Sequence, residues 1–255
     1  MITLCKSTKK ETILQIMRIY YDKKVCRNKK IITFAATMLR MEKTMDITFE
    51  LMKRGEIREA SELAARAFED YRYVTNFFPG PGESLKMLKA VLYRIGLTNF
   101  GKSHFLIARV DGKIVTLVML NAPDYKEPSL MQYLLHGWLM VYRDVNFRRL
   151  NDYLAMAEAA EKPCHDYQKV GKDVWYLSSI TVEPSLQGTG IGSKSLDYME
   201  DYILRHGGRE VVLLTNSEEN MSWYKKHGYE VFHECEITYQ GKTVGSWSMK
   251  KTLTP

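Results

Sequence analysis

The segment between residues 184 and 196 constrains the fold most strongly, because it places three glycines between an apolar strand and a helix. It reads PSLQGTGIGSKSL, with Gly188, Gly190 and Gly192 at alternate positions. Glycine lets successive backbone N–H groups approach an anion, and the start of the following helix directs its positive end to the same place. A plain turn needs only one glycine, so the segment predicts a phosphate-binding loop at the end of a strand.

Two familiar phosphate-binding loops have a different spacing. A Walker A loop needs a lysine after its last glycine, but Ser193 follows Gly192, and Gln187 stands where the first glycine would fall. A GxGxxG dinucleotide fingerprint begun at Gly188 or Gly190 would require a third glycine at position 193 or 195, and both positions are serine. The spacing excludes both loops and favours a pyrophosphate held by several backbone N–H groups.

The order of the predicted elements indicates an α/β fold. Asp111-Gly112 and Gln240-Gly241 each separate two apolar runs, and each pair predicts a β-hairpin. A strand, a helix and a second strand near residues 174–215 imply a parallel crossover. The whole order is a strand, two helices, a hairpin, a helical insert, a strand, a helix, a strand, a helix and a hairpin. We therefore expect a mixed sheet with helices on both faces.

Residues 127–170 form the helical insert, which is rich in aromatic residues and methionine. Core packing under a helical cover explains this composition. A second interpretation is the wall of a substrate pocket, because Trp138, Tyr142 and Tyr153 offer flat surfaces. The sequence leaves both interpretations open.

The positive charge belongs to the N-terminal part of the chain. Residues 1–45 contain 11 of the 37 basic residues and three of the 30 acidic ones, so they account for the net charge of +7. Residues 46–255 form a nearly neutral main domain, which argues against nucleic-acid binding by that domain. Residues 1–45 read as a loosely attached helix or an upstream extension, and Met41 or Met45 is a candidate start of the functional domain. An accessory role for them in nucleic-acid or membrane attachment stays open.

The distribution of cysteines and histidines predicts a cytoplasmic protein without a metal site. The six histidines and four cysteines show neither CxxC pairs nor metal-ligand spacing, so we expect reduced thiols. No segment approaches the roughly 20 apolar residues that a membrane helix needs. The cysteines are Cys5, Cys26, Cys164 and Cys235.

Two landmarks together resemble the GNAT N-acetyltransferase family. The first is the family motif [RQ]-x-x-G-x-[GA] after a V-x-P strand end, which matches residues 182–192. The second is an Asn and a Tyr in a short helix before Gly-[FY], which matches NMSWYKKHGY at residues 220–229. The resemblance is firmest over residues 174–232 and implies a GNAT fold for residues 46–255. Residues 1–45 and the insert at 127–170 lie outside the family pattern.

The resemblance also implies acetyl-CoA as the co-substrate and assigns its contacts. The pantetheine arm would pair with the strand before the loop, the pyrophosphate would lie on the loop and the start of its helix, and Tyr224 would be the general acid. A phenol with a pKa near 10 stays protonated at neutral pH and can donate to a departing thiolate. The cofactor-binding residues so implied are Ile180, Thr181, Val182, Gln187, Gly188, Thr189, Gly190, Ile191, Gly192, Ser193 and Asn220.

The general base and the acceptor are less defined. Many family members place a glutamate early in the strand before the loop, but residues 174–179 contain no carboxylate, and only Asp173 and Glu183 flank that strand. The resemblance implies acetyl transfer to a primary amine by direct attack in a ternary complex. The aromatic insert favours a small molecule, as in antibiotic-modifying members. The alternatives are a peptide or protein amine and a non-catalytic acyl-CoA-binding module, and a homodimer is compatible with each of them.

Overall fold

The computed structural model describes residues 46–254, in which seven strands form one mixed sheet. The interpretations that concern residues 1–45 lie outside the described residues. The order of the strands in the sheet is β1-β2-β3-β4-β5-β7-β6. The strands are β1 (Ile47–Leu51), β2 (His104–Val110), β3 (Lys113–Asn121), β4 (Val174–Val182), β5 (Glu210–Thr215), β6 (Glu230–Tyr239) and β7 (Lys242–Thr252).

Eight α-helices connect the strands in the described part of the chain. Seven of them fall within or near segments that the sequence predicts to be helical, three of these seven lie in the insert, and only α2 was not predicted. The helices are α1 (Ile57–Phe68), α2 (Arg72–Phe77), α3 (Glu83–Asn99), α4 (Leu130–Leu135), α5 (Leu139–Asp144), α6 (Phe147–Val170), α7 (Ile191–Arg205) and α8 (Glu218–Lys226). None of these helices is both long and apolar enough to cross a membrane.

The strand pairing confirms both predicted hairpins and the crossover. At the β2–β3 turn, Asp111 and Gly112 have φ angles of 50° and 76°. At the β6–β7 turn, Gln240 and Gly241 have φ angles of 48° and 76°. Two positive φ angles in succession are typical of the type I′ turn that joins twisted antiparallel strands. Strands β4 and β5 are parallel, as the intervening helix α7 requires.

Helices cover both faces of the sheet, as the sequence predicts. Helix α1 buries Ile57 and Leu63 against one face, where Met119 of β3 also lies. Helix α7 buries Leu196 and Met199 against the other face. Both clusters are apolar, and burial of such side chains stabilises the fold by about 1.5–3 kcal/mol each.

The insert helix α6 lies across β4 and β5. The Cys164 thiol donates a hydrogen bond to the Leu213 carbonyl at 3.3 Å. The Gln168 amide donates to the Val174 carbonyl at 3.2 Å. Nearer its start, the Tyr153 ring packs on Tyr73 of α2, with 5.3 Å between ring centroids. Part of the insert therefore belongs to the buried core, and its aromatic side chains lie on the same face as α1.

Candidate active site

Strands β4 and β5 separate halfway along their length. They pair from Val174 opposite Glu210 to Leu177 opposite Leu213, and no later residues of the two strands pair. At the same level a β-bulge leaves Ser178 unmatched, because Met119 and Leu120 of β3 lie opposite Ser179 and Leu177. A bulge bends its strand and increases the local twist. The C-terminal ends of β4 and β5 therefore border a gap in the sheet, which we call the β4–β5 gap.

The β4 side of this gap presents unpaired peptide groups. The Glu183 N–H donates to the carbonyl of Val115 in β3 at 2.8 Å, so it points away from the gap. Peptide groups alternate in direction along a strand, so those of Val182 and Ile180 face the gap. The Val182 carbonyl accepts a hydrogen bond from the Gln187 side-chain amide at 3.4 Å, which agrees with this direction. The backbone of Ile180 and Val182 thus has no partner strand among the described residues on this side. We call it the ladder edge, and an extended ligand can form hydrogen bonds with it.

Thr181, between these two residues, contacts β3 rather than the gap. Its side chain is buried, and its hydroxyl donates to the Leu117 carbonyl at 3.2 Å. The structure therefore gives Thr181 a role in attaching β4 to β3, while its neighbours in the strand face the gap.

The glycine loop adopts a conformation that only glycine takes easily. Gly188 and Gly190 have φ angles of 76° and 88°, and Gly190 is the N-cap of α7. The hydroxyl of Thr189 donates to the Leu186 carbonyl at 2.6 Å and closes the loop. A methyl group added to Gly188 or Gly190 would meet no atom within 4 Å. The surface above the loop is therefore open. Glycine is favoured at these two positions because of their positive φ angles, and not because neighbouring atoms leave no room for a side chain.

A series of backbone N–H groups at this loop has no acceptor among the described residues. The first residues of a helix lack intrahelical acceptors for their N–H groups, and no capping side chain replaces them at α7. The unpaired groups belong to Gly188, Gly190, Ile191, Gly192 and Ser193. Five donors at a positive helix end can bind a multiply charged anion, which fits a pyrophosphate.

A histidine that sequence reasoning missed connects α8 to the start of α7. The His227 ring lies with Nδ1 at 2.8 Å from the Trp223 carbonyl and Nε2 at 2.9 Å from the Ser193 hydroxyl. A carbonyl can only accept, so Nδ1 carries a proton and donates to the Trp223 carbonyl. The spacing of four residues to Trp223 was the available signal, but the contact with Ser193 crosses 34 positions of sequence.

Tyr224 on α8 is buried beside the last paired residues of β4 and β5. Its ring packs in the same core cluster as Leu177 and Leu213, the last paired residues before the gap. The residue is only 6% exposed, and no hydrogen bond to another described residue involves its hydroxyl. Burial raises the pKa of Tyr224 above its usual value. The phenol is therefore protonated at neutral pH.

Asn220 is a cofactor contact predicted from the sequence, whereas Tyr71 was not predicted. Asn220 is exposed in the first turn of α8, and its N–H is bound by the Ser217 hydroxyl at 3.2 Å. Tyr71 was not identified from the sequence, yet its hydroxyl accepts the N–H of Asn216, just beyond β5, at 2.7 Å. Tyr71 is close enough to raise the pKa of Tyr224, after the larger effect of burial. Two phenols therefore lie near the C-terminal end of β5.

A family model places the whole arrangement in a known group. The model for the acetyltransferase (GNAT) family matches residues 73–229, which is more than half of the chain. The chain belongs to the GNAT family. GNAT proteins are acetyl-CoA-dependent acyltransferases, and the loop donors and the ladder edge of this member fit the pyrophosphate and the amide-bearing arm of acetyl-CoA. A search of curated proteins finds no match.

Solved GNAT structures share this fold at low sequence identity. A Corynebacterium glutamicum protein described as histone acetyltransferase HPA2 and related acetyltransferase has 17% identity and a TM-score of 0.54, over 83% of this chain and 98% of its own. A protein provisionally described as a phosphinothricin N-acetyltransferase has 13% identity and a TM-score of 0.51, over 82% of this chain and 100% of its own. The yncA protein of Salmonella typhimurium, solved with acetyl-CoA, has 13% identity and a TM-score of 0.50, over 82% of this chain and 94% of its own.

Proposed function

We propose that this GNAT protein transfers the acetyl group of acetyl-CoA to a primary amine of a small molecule, by direct attack in a ternary complex. The observation that carries the proposal is the β4–β5 gap, with the glycine loop and its unpaired N–H groups after β4 and with Tyr224 packed in the same cluster as Leu177 and Leu213. The names of similar structures point both to a histone and to phosphinothricin as acceptors. The aromatic insert, which packs beside α2 on the face opposite α7 and α8, favours a small acceptor.

Each part of the gap has a separate task in this proposal. Ile180 and Val182 pair with the pantetheine arm, and the segment from Gln187 to Ser193 holds the pyrophosphate. A hydrogen bond to a charged group contributes about 1.5–3 kcal/mol, so two or three of the five N–H groups contribute about 3–9 kcal/mol toward binding. Asn220 is the remaining proposed contact to the cofactor.

Tyr224 supplies the proton that the leaving sulfur needs. Acetyl-CoA brings a thioester, whose cleavage releases a thiolate with an ordinary pKa near 8.5. Because burial holds the pKa of Tyr224 above its usual value, the phenol is fully protonated when the sulfur departs. Proton donation by a positioned side chain contributes typically about 10²–10⁴-fold in rate.

The test is a panel of amines incubated with acetyl-CoA, with release of free thiol as the measurement. The panel contains small aromatic and aliphatic amines, amino-acid amides and lysine-containing peptides. We expect thiol release with small amines and little with peptides. Release with peptides alone would favour the protein-modifying alternative. Binding of acetyl-CoA without release for any amine would favour the non-catalytic module and refute the proposal.

The cellular setting is proposed on the cysteine chemistry. Cys164 and Cys235 are unpaired thiols in the described residues, which supports a reducing, cytoplasmic location. We expect the active protein to be unaffected by thiol reductants.

A further inference from the structure

The insert helix α6 brings a carboxylate to the β4–β5 gap. Gln168 contacts the carbonyl of Val174 at the beginning of β4, and Cys164 contacts the carbonyl of Leu213 at the last paired position of β5. The helix therefore runs back along the paired strands toward the gap. Glu161 lies one turn beyond Cys164, about 4.5 Å farther in that direction.

Glu161 is in contact with the strand that borders the gap. Its Oε2 atom lies 3.9 Å from Nε2 of His165, and the His165 ring packs edge-on against Tyr176 with 4.9 Å between centroids. The Tyr176 hydroxyl faces the Glu161 carboxylate, and Tyr176 lies two residues before the bulge at Ser178. The Glu161 side chain is 35% exposed, so a ligand in solution can reach it.

Aromatic rings lie on the far side of this carboxylate. Tyr73 and Phe77 of α2 pack around Tyr153 of α6, with ring centroids 5.3 and 5.5 Å from it. Tyr239 of β6 stacks on Phe77 at 4.2 Å. Tyr73 and Tyr153 lie near enough that the charge of Glu161 raises the pKa of both. Tyr73 and Phe77 are buried, whereas Tyr153 and Tyr239 are partly exposed, so an amine with a flat aromatic group would meet the rings of Tyr153 and Tyr239.

The surroundings of Glu161 make it a stronger base than an ordinary carboxylate. Although 35% of the side chain is exposed, desolvation by the surrounding atoms raises the pKa of Glu161 to about 7, with further repulsion from Glu127 and Glu158 and partial relief from the Tyr176 hydroxyl. Burial also lowers the pKa of His165, so its ring is uncharged at neutral pH and does not neutralise Glu161. The titratable groups that face this site from the insert, β4, α2 and the β3–α4 connection are Tyr73, Tyr125, Glu127, Tyr133, Tyr153, Glu158, Cys164, His165 and Tyr176.

This shift matters for proton transfer from an ammonium group. An ordinary glutamate lies about six pKa units below a lysine-type amine, and a glutamate near 7 lies only about three units below it. For an α-amine, which titrates near 7.8, the difference is about one unit. Proton transfer is most effective when the pKa values of donor and acceptor approach each other and the working pH.

We propose that Glu161 is the general base for the acceptor amine, and that the acceptor carries an aromatic group close to its amine. This inference rests on the proposed function. It also explains how the protein works without a glutamate in residues 174–179, because the insert supplies the carboxylate that β4 lacks.

The proton and electron balance of the step is complete. The Glu161 carboxylate takes the first proton from the ammonium and passes it to water, which leaves a lone pair on nitrogen. That lone pair forms the C–N bond to the thioester carbonyl carbon, and the C–S bond breaks with its electron pair on sulfur. Tyr224 gives its proton to the sulfur and regains one from the nitrogen. The products are an amide, a thiol and one proton in solution.

The kinetic test compares Glu161→Gln with Glu62→Gln, an exposed glutamate on α1 that forms no ion pair with another described residue and controls for the loss of one charge. The acceptors are benzylamine, which is charged at pH 7, and O-benzylhydroxylamine, whose nitrogen is not. We expect Glu161→Gln to lower kcat for benzylamine about 10²–10⁴-fold and for O-benzylhydroxylamine less than tenfold. Calorimetry should show unchanged affinity for acetyl-CoA in both variants, which also reports correct folding.

A second readout does not depend on turnover. Carbon-13 NMR of protein labelled at the glutamate carboxyl groups should show one resonance that titrates near pH 7. It should be absent in Glu161→Gln and present in Glu62→Gln.

The outcomes separate the two proposals. Equal loss of kcat for both acceptors, no loss in Glu161→Gln, or no glutamate resonance titrating near pH 7 would overturn the role of Glu161 while leaving acetyl transfer intact. Acetylation of aliphatic amines but of neither benzyl compound would overturn the aromatic acceptor. Absence of thiol release by the wild-type protein with every amine would overturn the proposed function, and this inference with it.

Discussion

Replacing Gly190 by alanine tests the phosphate loop with the smallest change that the chain allows. Gly190 has a φ angle of 88°, and a methyl group there would meet no atom within 4 Å. The substitution therefore introduces no clash within the protein and acts only through the backbone. A left-handed conformation costs a residue with a side chain about 1–2 kcal/mol.

The protein can respond in two measurable ways. If residue 190 keeps its conformation, the free energy of unfolding falls by about 1–2 kcal/mol, which lowers Tm by about 2–8 °C for a domain of this size. If the loop relaxes instead, its N–H groups turn away from the ligand. Each lost contact to a charged oxygen is worth about 1.5–3 kcal/mol, so Kd for coenzyme A rises about 10- to 150-fold.

The matched control is Gly192→Ala, two residues later. Gly192 has a helical conformation, and its added methyl group would lie 3.5 Å from Val182, an ordinary contact. We expect a Kd within threefold of wild type and no loss of stability. Calorimetric titration with coenzyme A and differential scanning calorimetry give both quantities. A Gly190→Ala protein with wild-type Kd and wild-type Tm would show that this conformation carries no binding function.

Three further predictions concern other parts of the molecule. Tyr224→Phe should lower kcat about 10²–10⁴-fold and leave Kd for acetyl-CoA within twofold, measured by thiol release and calorimetry; unchanged turnover would exclude the general-acid role. Gly208→Ala should lower the free energy of unfolding by about 1–3 kcal/mol in urea titrations, because the new methyl group would overlap the buried side chains of Ile203 and Trp175. Gly55→Ala should leave the free energy of unfolding unchanged, because there is open space around Gly55, and equal stability of the two variants would contradict the packing. Cys164 should resist N-ethylmaleimide at pH 8 in the native protein and react after denaturation, as followed by peptide mass mapping, because burial raises the pKa of its thiol to about 12; rapid native labelling would show that α6 does not cover it.

The local signals in the sequence were sufficient for most of the sheet. The pairs Asp111-Gly112 and Gln240-Gly241 predict both hairpins because a type I′ turn is decided by two adjacent residues. The glycine loop and its helix follow from spacing alone for the same reason. Helix α2 was missed because RYVTNF is only six residues long, too short to show a helical period. Its stability comes from packing of Tyr73, Val74 and Phe77, which are buried.

The residues of the candidate site also differ in whether a local sequence signal identifies them. The loop residues and Tyr224 could be proposed from motifs, and their roles stay predictions. Tyr71 and His227 could not, because each meets its partner across a long stretch of sequence. Glu161 is relevant only because α6 crosses the sheet near the bulge at Ser178, and neither the crossing nor the bulge has a local sequence signal.

The early end of the β4–β5 pairing divides the sheet into two leaves, β1–β4 and β5–β7, that share a seam of four residue pairs. Helix α6 spans this seam, since Gln168 is bound to one leaf and Cys164 to the other. The insert therefore acts as a brace that limits how far the leaves can rotate apart. Weakening the contacts of Gln168 and Cys164 should widen the β4–β5 gap and admit bulkier acyl chains. The width of the gap would then depend on a helix that lies outside the family pattern.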